Sequence, residues 1–339
     1  MARPISALLA GALVCATALL ATNEPALAWG TKGHTMINRL AAASLPSRLP
    51  AFMRTAAAAD ELAFLGPEED ALKGSGRAWD AQYDPGHYLD VLDDGTIAGA
   101  LKLGALPETR EAYDTALRAA GSDQYKTGYL PYAILDGWEQ LRMDFAYWRV
   151  DAYRATHDAS AARRRRAASD RAIEEHLILR DAGVWGHFVG DASQPLHVTV
   201  HFNGWGEYPN PKGYSTSRDI HAFFESTFVN RYAQERAVAG LMAAPAPRQS
   251  AALATQEEAL GAIESYLQAT NATVTQLYSI DKTGGFVRAT PQAVTFCDAR
   301  LAAGAAELRD LTAWAWDDSI NESVGYPAQP VRTILNATH

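Results

Sequence analysis

Apolar residues recur along most of the chain at helical rather than strand spacing. Between residues 169 and 189, for example, Ile173, Leu177 and Val184 fall on one face of a helix with a period of 3.6 residues. Comparable patterns predict further helices at 35–43, 112–120, 130–153, 220–232, 256–277 and 291–316. We therefore expect an all-α fold that forms one multi-helix domain.

The remaining stretches are short and differ from one another. Alternation with a period of two occurs only at 197–201, which predicts one short strand. Glycine and proline gather at 66–86, 203–213 and 243–248, which predicts loops. Long loops between the predicted helices are thus a feature of the expected domain.

The first 28 residues have the pattern of a secretory signal. Arg3 is the only charged residue ahead of an apolar stretch at 5–21, and Ala26-Leu27-Ala28 is a small-x-small cleavage site. We expect a signal peptide at 1–28, cleavage between Ala28 and Trp29, and a single domain at 29–339. The mature protein would be secreted or periplasmic. A membrane anchor at the N-terminus is the alternative interpretation.

Charge and cysteine content narrow the chemistry. The chain has 39 acidic and 30 basic residues, a formal net charge of −9, whereas proteins that bind nucleic-acid phosphates mainly through lysine and arginine are basic. Binding of a phosphate group would therefore need a local positive source. Cleavage would leave Cys297 as the only thiol, so no internal disulfide is expected.

The strongest chemical signal is the run His187-Phe-Val-Gly-Asp191-Ala-Ser-Gln-Pro195-Leu-His197. His187 and Asp191 are four residues apart and share one face of a helix. Pro195 ends that helix and turns His197 back towards the same region. Imidazole and carboxylate are zinc ligands, and one carboxylate can bridge two ions. The alternative, a polar helix buried without partners, would be costly.

Two weaker signals flank this run. His221 and Glu225 have the same spacing of four, which also occurs in ordinary surface pairs. Cleavage would make Trp29 the N-terminal residue, and an α-amine with a pKa of about 7.7–8.0 is easily deprotonated by a metal. That amine and the ring of His34 could chelate one ion, unless Trp29 is simply a core aromatic residue.

Together these residues resemble the zinc-dependent nuclease and phospholipase C superfamily. Its nuclease branch, the single-strand nucleases of the S-one/P-one type, begins at a mature Trp followed by Gly and a nearby His. It also carries a His-Phe-x-Gly-Asp-x-x-Gln-Pro-Leu-His core, which residues 187–197 reproduce. The similarity extends from Trp29 to about Glu225. The resemblance implies an all-α domain of the phospholipase C and nuclease type with long loops around a trinuclear zinc site.

The resemblance also implies which residues bind each of three Zn²⁺ ions. They are an aspartate with His87, His187 and Asp191 for the first ion; the amine and carbonyl of Trp29 with His34 and the other oxygen of Asp191 for the second; and His197, His221 and Glu225 for the third. Asp70, which lies 17 residues before His87, is the preferred aspartate of the first site, and Asp60 is its rival.

Residues beside these ligands are candidates for binding substrate. Tyr88 and Asp90 directly follow His87, and Phe202 and Trp205 belong to the aromatic residues of the loop between His197 and His221. Aromatic faces suit the stacking of unpaired bases. Packing of the loop itself is the alternative role.

The implied reaction is hydrolysis of a phosphodiester by a zinc-bound hydroxide, with Asp191 bridging two ions and Asp70 orienting the attacking group. Our first hypothesis is an endonuclease or 3′-nucleotidase that acts on single-stranded DNA, RNA or nucleotides. The second is a phospholipase C that recognises a phospholipid headgroup. It is favoured by Glu225, since nucleases usually have Asp there, and by Asn203-Gly-Trp-Gly206 in place of Gly-Gly-Asn. A non-catalytic exported zinc-binding protein is the third, and no obligate protein partner is evident.

Overall fold

The computed structural model describes residues 29–337 except 74, 75, 77 and 248–252, so the expected signal peptide at 1–28 lies outside the described residues. The chain is 66 % helical, which confirms the all-α prediction. Strands in the described ranges amount to two hairpins of two-residue strands. No helix within those ranges is long and apolar enough to cross a membrane.

The helices and strands are, in chain order, α1 (Gly30–Ala43), α2 (Ala56–Leu65), α3 (Glu68–Leu72), α4 (Asp80–Tyr83), β1 (Thr96–Ile97), β2 (Leu101–Lys102), α5 (Arg110–Ala119), α6 (Gln124–Thr127), α7 (Leu130–His157), α8 (Ala161–Asp191), α9 (Ile220–Ala222), α10 (Val229–Tyr232), α11 (Glu235–Leu241), α12 (Gln256–Asn271), α13 (Val274–Lys282), α14 (Pro291–Asp318), β3 (Ser323–Val324), β4 (Gln329–Pro330) and α15 (Val331–Leu335). Turns of 3-10 helix lie at Ala51–Arg54, Asp84–His87, Pro195–His197 and Ser319–Asn321, and a π-helical stretch, Phe223–Phe228, joins α9 to α10.

The structure departs from the predicted elements in three places. The predicted strand at 197–201 is wrong: its first residue ends a 3-10 turn, and the segment exchanges only isolated backbone hydrogen bonds with residues 89–91. The predicted helix at 256–277 is two helices, α12 and α13. The predicted loop at 66–86 contains α3 and α4.

Helix α8 is longer than the sequence pattern indicated. It has 31 residues, or about 46 Å at 1.5 Å per residue, and its N-terminal half extends beyond the apolar core. Ile173 and Leu177, expected on the core face, are accordingly 56 % and 41 % exposed. The C-terminal half of α8 packs against α7, α2 and α1 and carries the metal-ligand motif.

Close contact between α1 and α8 depends on glycine. A Cβ atom on Gly186 would lie 2.4 Å from Oδ1 of Asn38, and one on Gly190 would lie 3.1 Å from Nδ1 of His34. Nδ2 of Asn38 donates to the carbonyl oxygens of Leu62 in α2 and Gly183 in α8, at 2.9 and 2.7 Å. The three helices are thereby held at a separation that only glycine permits.

The replacement Gly186→Ala tests this packing. The added methyl group must displace Asn38 or the Leu308 side chain that lies 2.8 Å away, so we expect the free energy of unfolding to fall by about 1–3 kcal/mol. Gly261→Ala is the control, because its Cβ would meet no atom within 4 Å inside α12, and alanine favours a helix by about 0.5–1 kcal/mol. Urea unfolding measures both variants. A Gly186→Ala protein as stable as the parent would contradict the close packing.

Candidate metal centre

The structure brings all eight predicted side-chain ligands into one buried cluster, although they come from six separate parts of the chain. They form three groups whose donor atoms lie within 4.8 Å of one another: His34, His187 and Asp191; Asp70, His87 and His187; and His197, His221 and Glu225. The first two groups share His187. All of these residues are buried except His221, which is intermediate.

Asp191 lies between imidazoles from three segments. Its Oδ1 is 3.4 Å from Nε2 of His34 and 3.8 Å from Nδ1 of His197, while its Oδ2 is 3.3 Å from Nε2 of His187. The rings of His34 and His187 are stacked with centroids 3.8 Å apart. Because the two carboxylate oxygens face different imidazoles, this side chain has the geometry to bridge two ions.

The structure places Asp70, and not Asp60, in the cluster. Oδ1 of Asp70 is 3.6 Å from Nε2 of His187, and its Oδ2 is 3.9 Å from Nε2 of His34. The side chain of Asp60 is 67 % exposed and pairs with Arg39 at 2.7 Å on the surface. Helix α3, which carries Asp70, lies within a stretch that the glycine and proline content predicted to be a loop.

The third group is built on the π-helical stretch. Nε2 of His221 is 2.9 Å from Oε2 of Glu225, and Nε2 of His197 is 3.5 Å from the same oxygen. Gln194 donates to that oxygen at 3.2 Å and so fixes the carboxylate. Helices widen into π turns mostly at functional sites, and here the wider turn carries Glu225.

Backbone carbonyls fix three of the imidazole rings. Nδ1 of His87 lies 2.9 Å from the carbonyl oxygen of Asp84, Nδ1 of His187 lies 2.8 Å from that of Gly66, and Nδ1 of His197 lies 2.7 Å from that of His87. A carbonyl oxygen only accepts, so each Nδ1 carries a proton, and Nε2 is the nitrogen that is left to bind a metal. Metal-binding histidines are typically oriented in this way.

Most of the other carboxylate oxygens and imidazole nitrogens in the cluster, the atoms that could bind a metal, have no hydrogen-bond partner. Buried polar atoms in proteins are nearly always hydrogen-bonded. The exceptions in this cluster are both oxygens of Asp191, Oδ2 of Asp70, Oε1 of Glu225, both ring nitrogens of His34, and Nε2 of His87 and of His187. Three carboxylates and five imidazoles that face one another in this way fit divalent cations, which would satisfy the orphaned atoms and balance the buried charge.

The protonation states favour the same conclusion. Burial lowers the pKa of His34, and it holds the pKa of His87 well below its usual value, so these rings are neutral. Burial alone would raise the pKa of Asp191 and of Glu225. The neighbouring His187 and His197 instead hold the pKa of Asp191 well below its usual value. His221 and His197 lower that of Glu225 to about 2. Burial would lower the pKa of His187 and of His197, but Asp191 raises both, so a cation that binds here would displace protons from these two rings.

Trp29 is docked against the same end of α8. It is fully buried, and its indole Nε1 donates to the carbonyl oxygen of Gly190 and to Oγ of Ser193, both at 2.9 Å. Its backbone is left-handed, with φ of 46°. The indole therefore anchors the beginning of α1 one residue away from Asp191. That the amine of Trp29 binds metal stays a prediction.

A cavity of about 200 Å³ opens beside the cluster. Its lining consists of Lys73, Asp84, His87, Tyr88, Leu196, His197, Phe202 and His221. Tyr88 therefore lies where the sequence placed it, beside the ligands. Asp90 does not line this cavity. It is partly buried near Tyr88 and Tyr113, and burial raises its pKa to about 7.

Trp205, expected to bind substrate, instead packs inside its own loop. It is 5 % exposed, its ring is stacked on His201 at 3.8 Å, and its Nε1 donates to the carbonyl oxygen of Pro209. Tyr214 and Tyr278 complete this aromatic cluster. A loop needs an apolar core to hold one shape, and the largest aromatic residue supplies it here.

The sequence did not reveal the role of Lys73. Its ammonium group lies 2.9 Å from Oδ1 of Asp70, and its side chain lines the cavity. The spacing of three from Asp70 was the only available signal, and such pairs are common on protein surfaces. Phe202, one of several aromatic residues in its loop, is 39 % exposed and faces the same cavity.

We compared the chain with protein-family models, with curated proteins and with solved structures, and found no match in any of the three. The identification of the site therefore rests on its residues and their geometry.

Metal content of three matched variants tests the cluster. Asp191 faces ligands of all three groups, so Asp191→Asn is expected to lose more metal per chain than Glu225→Gln, which faces only one. Asp60→Asn is the control, because that exposed aspartate is outside the cluster and should keep the full content. Mass spectrometry of the purified proteins gives the metal-to-protein ratio. Equal losses for Asp191→Asn and Glu225→Gln would refute the bridging arrangement.

Proposed function

We propose that the protein is an exported zinc-dependent phosphodiesterase, an endonuclease and 3′-nucleotidase that hydrolyses single-stranded DNA and RNA. The observation that carries this proposal is the buried cluster of three carboxylates and five imidazoles, in which most of the atoms that could bind a metal have no hydrogen-bond partner. The resemblance of residues 187–197 to the zinc-dependent nucleases supports it. The expected secretion signal supports a secreted or periplasmic location.

Zinc suits this ligand set because it favours nitrogen and oxygen donors and is held by imidazole and carboxylate in hydrolases. Three ions are proposed with the ligand sets that the resemblance implies, in which His187 would belong to the first site only and Asp191 would contribute one oxygen to each of the first two sites. When bound, zinc supplies the positive charge that a phosphate substrate needs and lowers the pKa of water, so that water attacks phosphorus near neutral pH. This is the local positive source that a chain with a net charge of −9 otherwise lacks.

The chain's own residues bind and orient the substrate. Lys73, at the edge of the cavity, is placed to bind a non-bridging phosphate oxygen, and its partner Asp70 accepts a hydrogen bond from the attacking water. Tyr88 and Phe202 line the same cavity and offer ring surface to an unpaired base.

A phospholipase C activity is the second candidate, and one residue favours it. Glu225 occupies the last ligand position, where the phospholipases have Glu and the nucleases usually have Asp. The longer side chain reaches between His197 and His221, which come from separate segments. In this alternative the cavity would hold a phosphorylated headgroup.

A substrate panel separates these activities. The mature protein is incubated with single-stranded DNA, with RNA and with phosphatidylcholine vesicles, with and without a chelator. We expect hydrolysis of both nucleic acids, loss of activity with the chelator, and a decrease of at least about 100-fold in Asp70→Asn, which loses a ligand charge. Asp60→Asn should remain fully active.

Hydrolysis of the lipid alone would overturn the nuclease proposal in favour of the phospholipase. An inactive protein with its full zinc content would instead favour a non-catalytic zinc-binding protein.

The proposed role of the N-terminal amine has its own test. A protein that begins Gly-Trp29 carries its primary amine one residue too far from His34, so we expect it to bind less zinc than a protein that begins at Trp29. Chelation and thermal unfolding in a zinc titration would show the weaker binding as a smaller rise in the unfolding temperature. Identical titrations would exclude the amine as a ligand.

A further inference from the structure

A second cleft lies on the other side of His87 from the cavity just described. Its volume is about 380 Å³, within the range of small-molecule sites. It is formed by α4, the beginning of α5, the beginning of α7 and the C-terminal half of α8, and its lining consists of Tyr83, Arg110, Tyr129, Ala133, Asp136, Gly137, Gln140, Asp181, Val184, Trp185 and Phe188. None of these residues belongs to the metal-ligand set.

A thin ridge separates the two clefts. Residues 82–88 form it, with Asp84, His87 and Tyr88 facing the cavity at the metal ligands and Tyr83 facing the second cleft. The ring centroids of His87 and Phe188 are 5.1 Å apart, and those of His87 and Tyr83 are 5.9 Å apart. The clefts are therefore about one aromatic ring apart.

Tyr129 holds this ridge in place. Its hydroxyl donates to the carbonyl oxygen of Gln82 at 2.8 Å, and its backbone nitrogen donates to that of Pro85, also at 2.8 Å. A Cβ atom on Gly86 would lie 3.1 Å from the tyrosine ring, so the contact is tight. The second cleft is thus a preformed feature whose wall also supports His87.

The lining combines apolar ring surface with polar groups that recognise a planar ligand. Tyr83 and Phe188 are half-buried rings on the side of the ridge, and the guanidinium of Arg110 lies 3.6 Å from the centre of the Tyr129 ring. Asp136 and Gln140 are exposed on α7 at the same cleft and supply hydrogen-bond acceptors and donors. An acyl chain would desolvate these charged groups without compensating them.

We propose that this cleft binds the base of the nucleotide on the far side of the scissile phosphate, so that a single strand crosses the ridge with one nucleotide in each cleft. The proposal rests on the proposed nuclease function and extends it to a second binding position. Successive nucleotides of one strand are spaced by about 3.4 Å when stacked and by more when splayed, which matches clefts that are one ring apart. Arg110 and Asp136 are the residues that distinguish this position from the cavity beside the metal ligands.

The test compares substrates that reach one cleft with substrates that reach both. Thymidine 3′-monophosphate occupies only the cavity beside the ligands, whereas the dinucleotide TpT and hexathymidylate occupy both clefts. For Arg110→Gln and for Asp136→Ala we expect the KM of TpT and of hexathymidylate to rise at least about fivefold relative to the KM of the mononucleotide. Arg118→Gln is the matched control, because it removes the same charge from the exposed side of α5.

The outcomes of the test are distinct. Unchanged KM values for TpT and hexathymidylate in both variants, with an active parent enzyme, would overturn the second position and leave the nuclease function intact. A parent enzyme that cleaves no nucleotide would overturn both. An increase in KM for phosphatidylcholine in the variants, without one for TpT, would assign the cleft to a lipid. Binding of fluorescently labelled phosphorothioate hexathymidylate, measured by anisotropy, should weaken in the same two variants and not in Arg118→Gln.

Discussion

The charge of Asp191 is the constraint on which the structure depends. Its side chain is fully buried, and neither oxygen has a hydrogen-bond partner. An isolated carboxylate in such a place would cost several kcal/mol, and here its charge is held only by the neighbouring His187 and His197, whose own pKa values are raised by the same pairing. Under the proposed function, a cation between the carboxylate and the rings would balance this charge, and folding of this region would be linked to metal binding.

The ligands converge because helices approach each other closely at one place. Glycines on α8 let α1 pack against it, and Asn38 links α1 to the backbones of both α2 and α8. His34 and His187 are brought into a stack by this contact. The ligands from outside these helices are fixed by backbone carbonyls, as in His87 and His197. Most of the positional accuracy of the cluster therefore comes from main-chain packing and main-chain hydrogen bonds.

Sequence patterns predicted the helical class, and they selected side chains that the structure brings together in one cluster, because both depend largely on local spacing. His187 and Asp191 must share a helix face wherever that helix lies, and Pro195 must end it. The strand expected at 197–201 was wrong, because the alternation arises from two histidines that are buried separately in a turn. His197 contacts the carbonyl oxygen of His87, and His201 contacts that of Trp205. Trp205 was expected to bind substrate but packs inside its loop, and the position of Lys73 beside Asp70 was not predicted. The direction of a loop side chain depends on contacts that the local sequence does not show. The choice between Asp60 and Asp70 needed the fold, since the spacing to His87 permits both.

The two clefts and the acidic surface bear on which phosphodiesters reach the site. Under the proposed function, a net charge of −9 opposes the approach of a polyanion overall, whereas bound cations and Lys73 would make the cluster locally positive. Ring surface on both sides of the ridge is available only to bases that are not already stacked within a duplex. Under the same proposal, the two aromatic clefts on either side of His87 select a flexible single strand by their shape. The cluster selects the phosphate that crosses the ridge. Specificity and catalysis then share one structural element, because the turn that separates the clefts also carries a metal ligand.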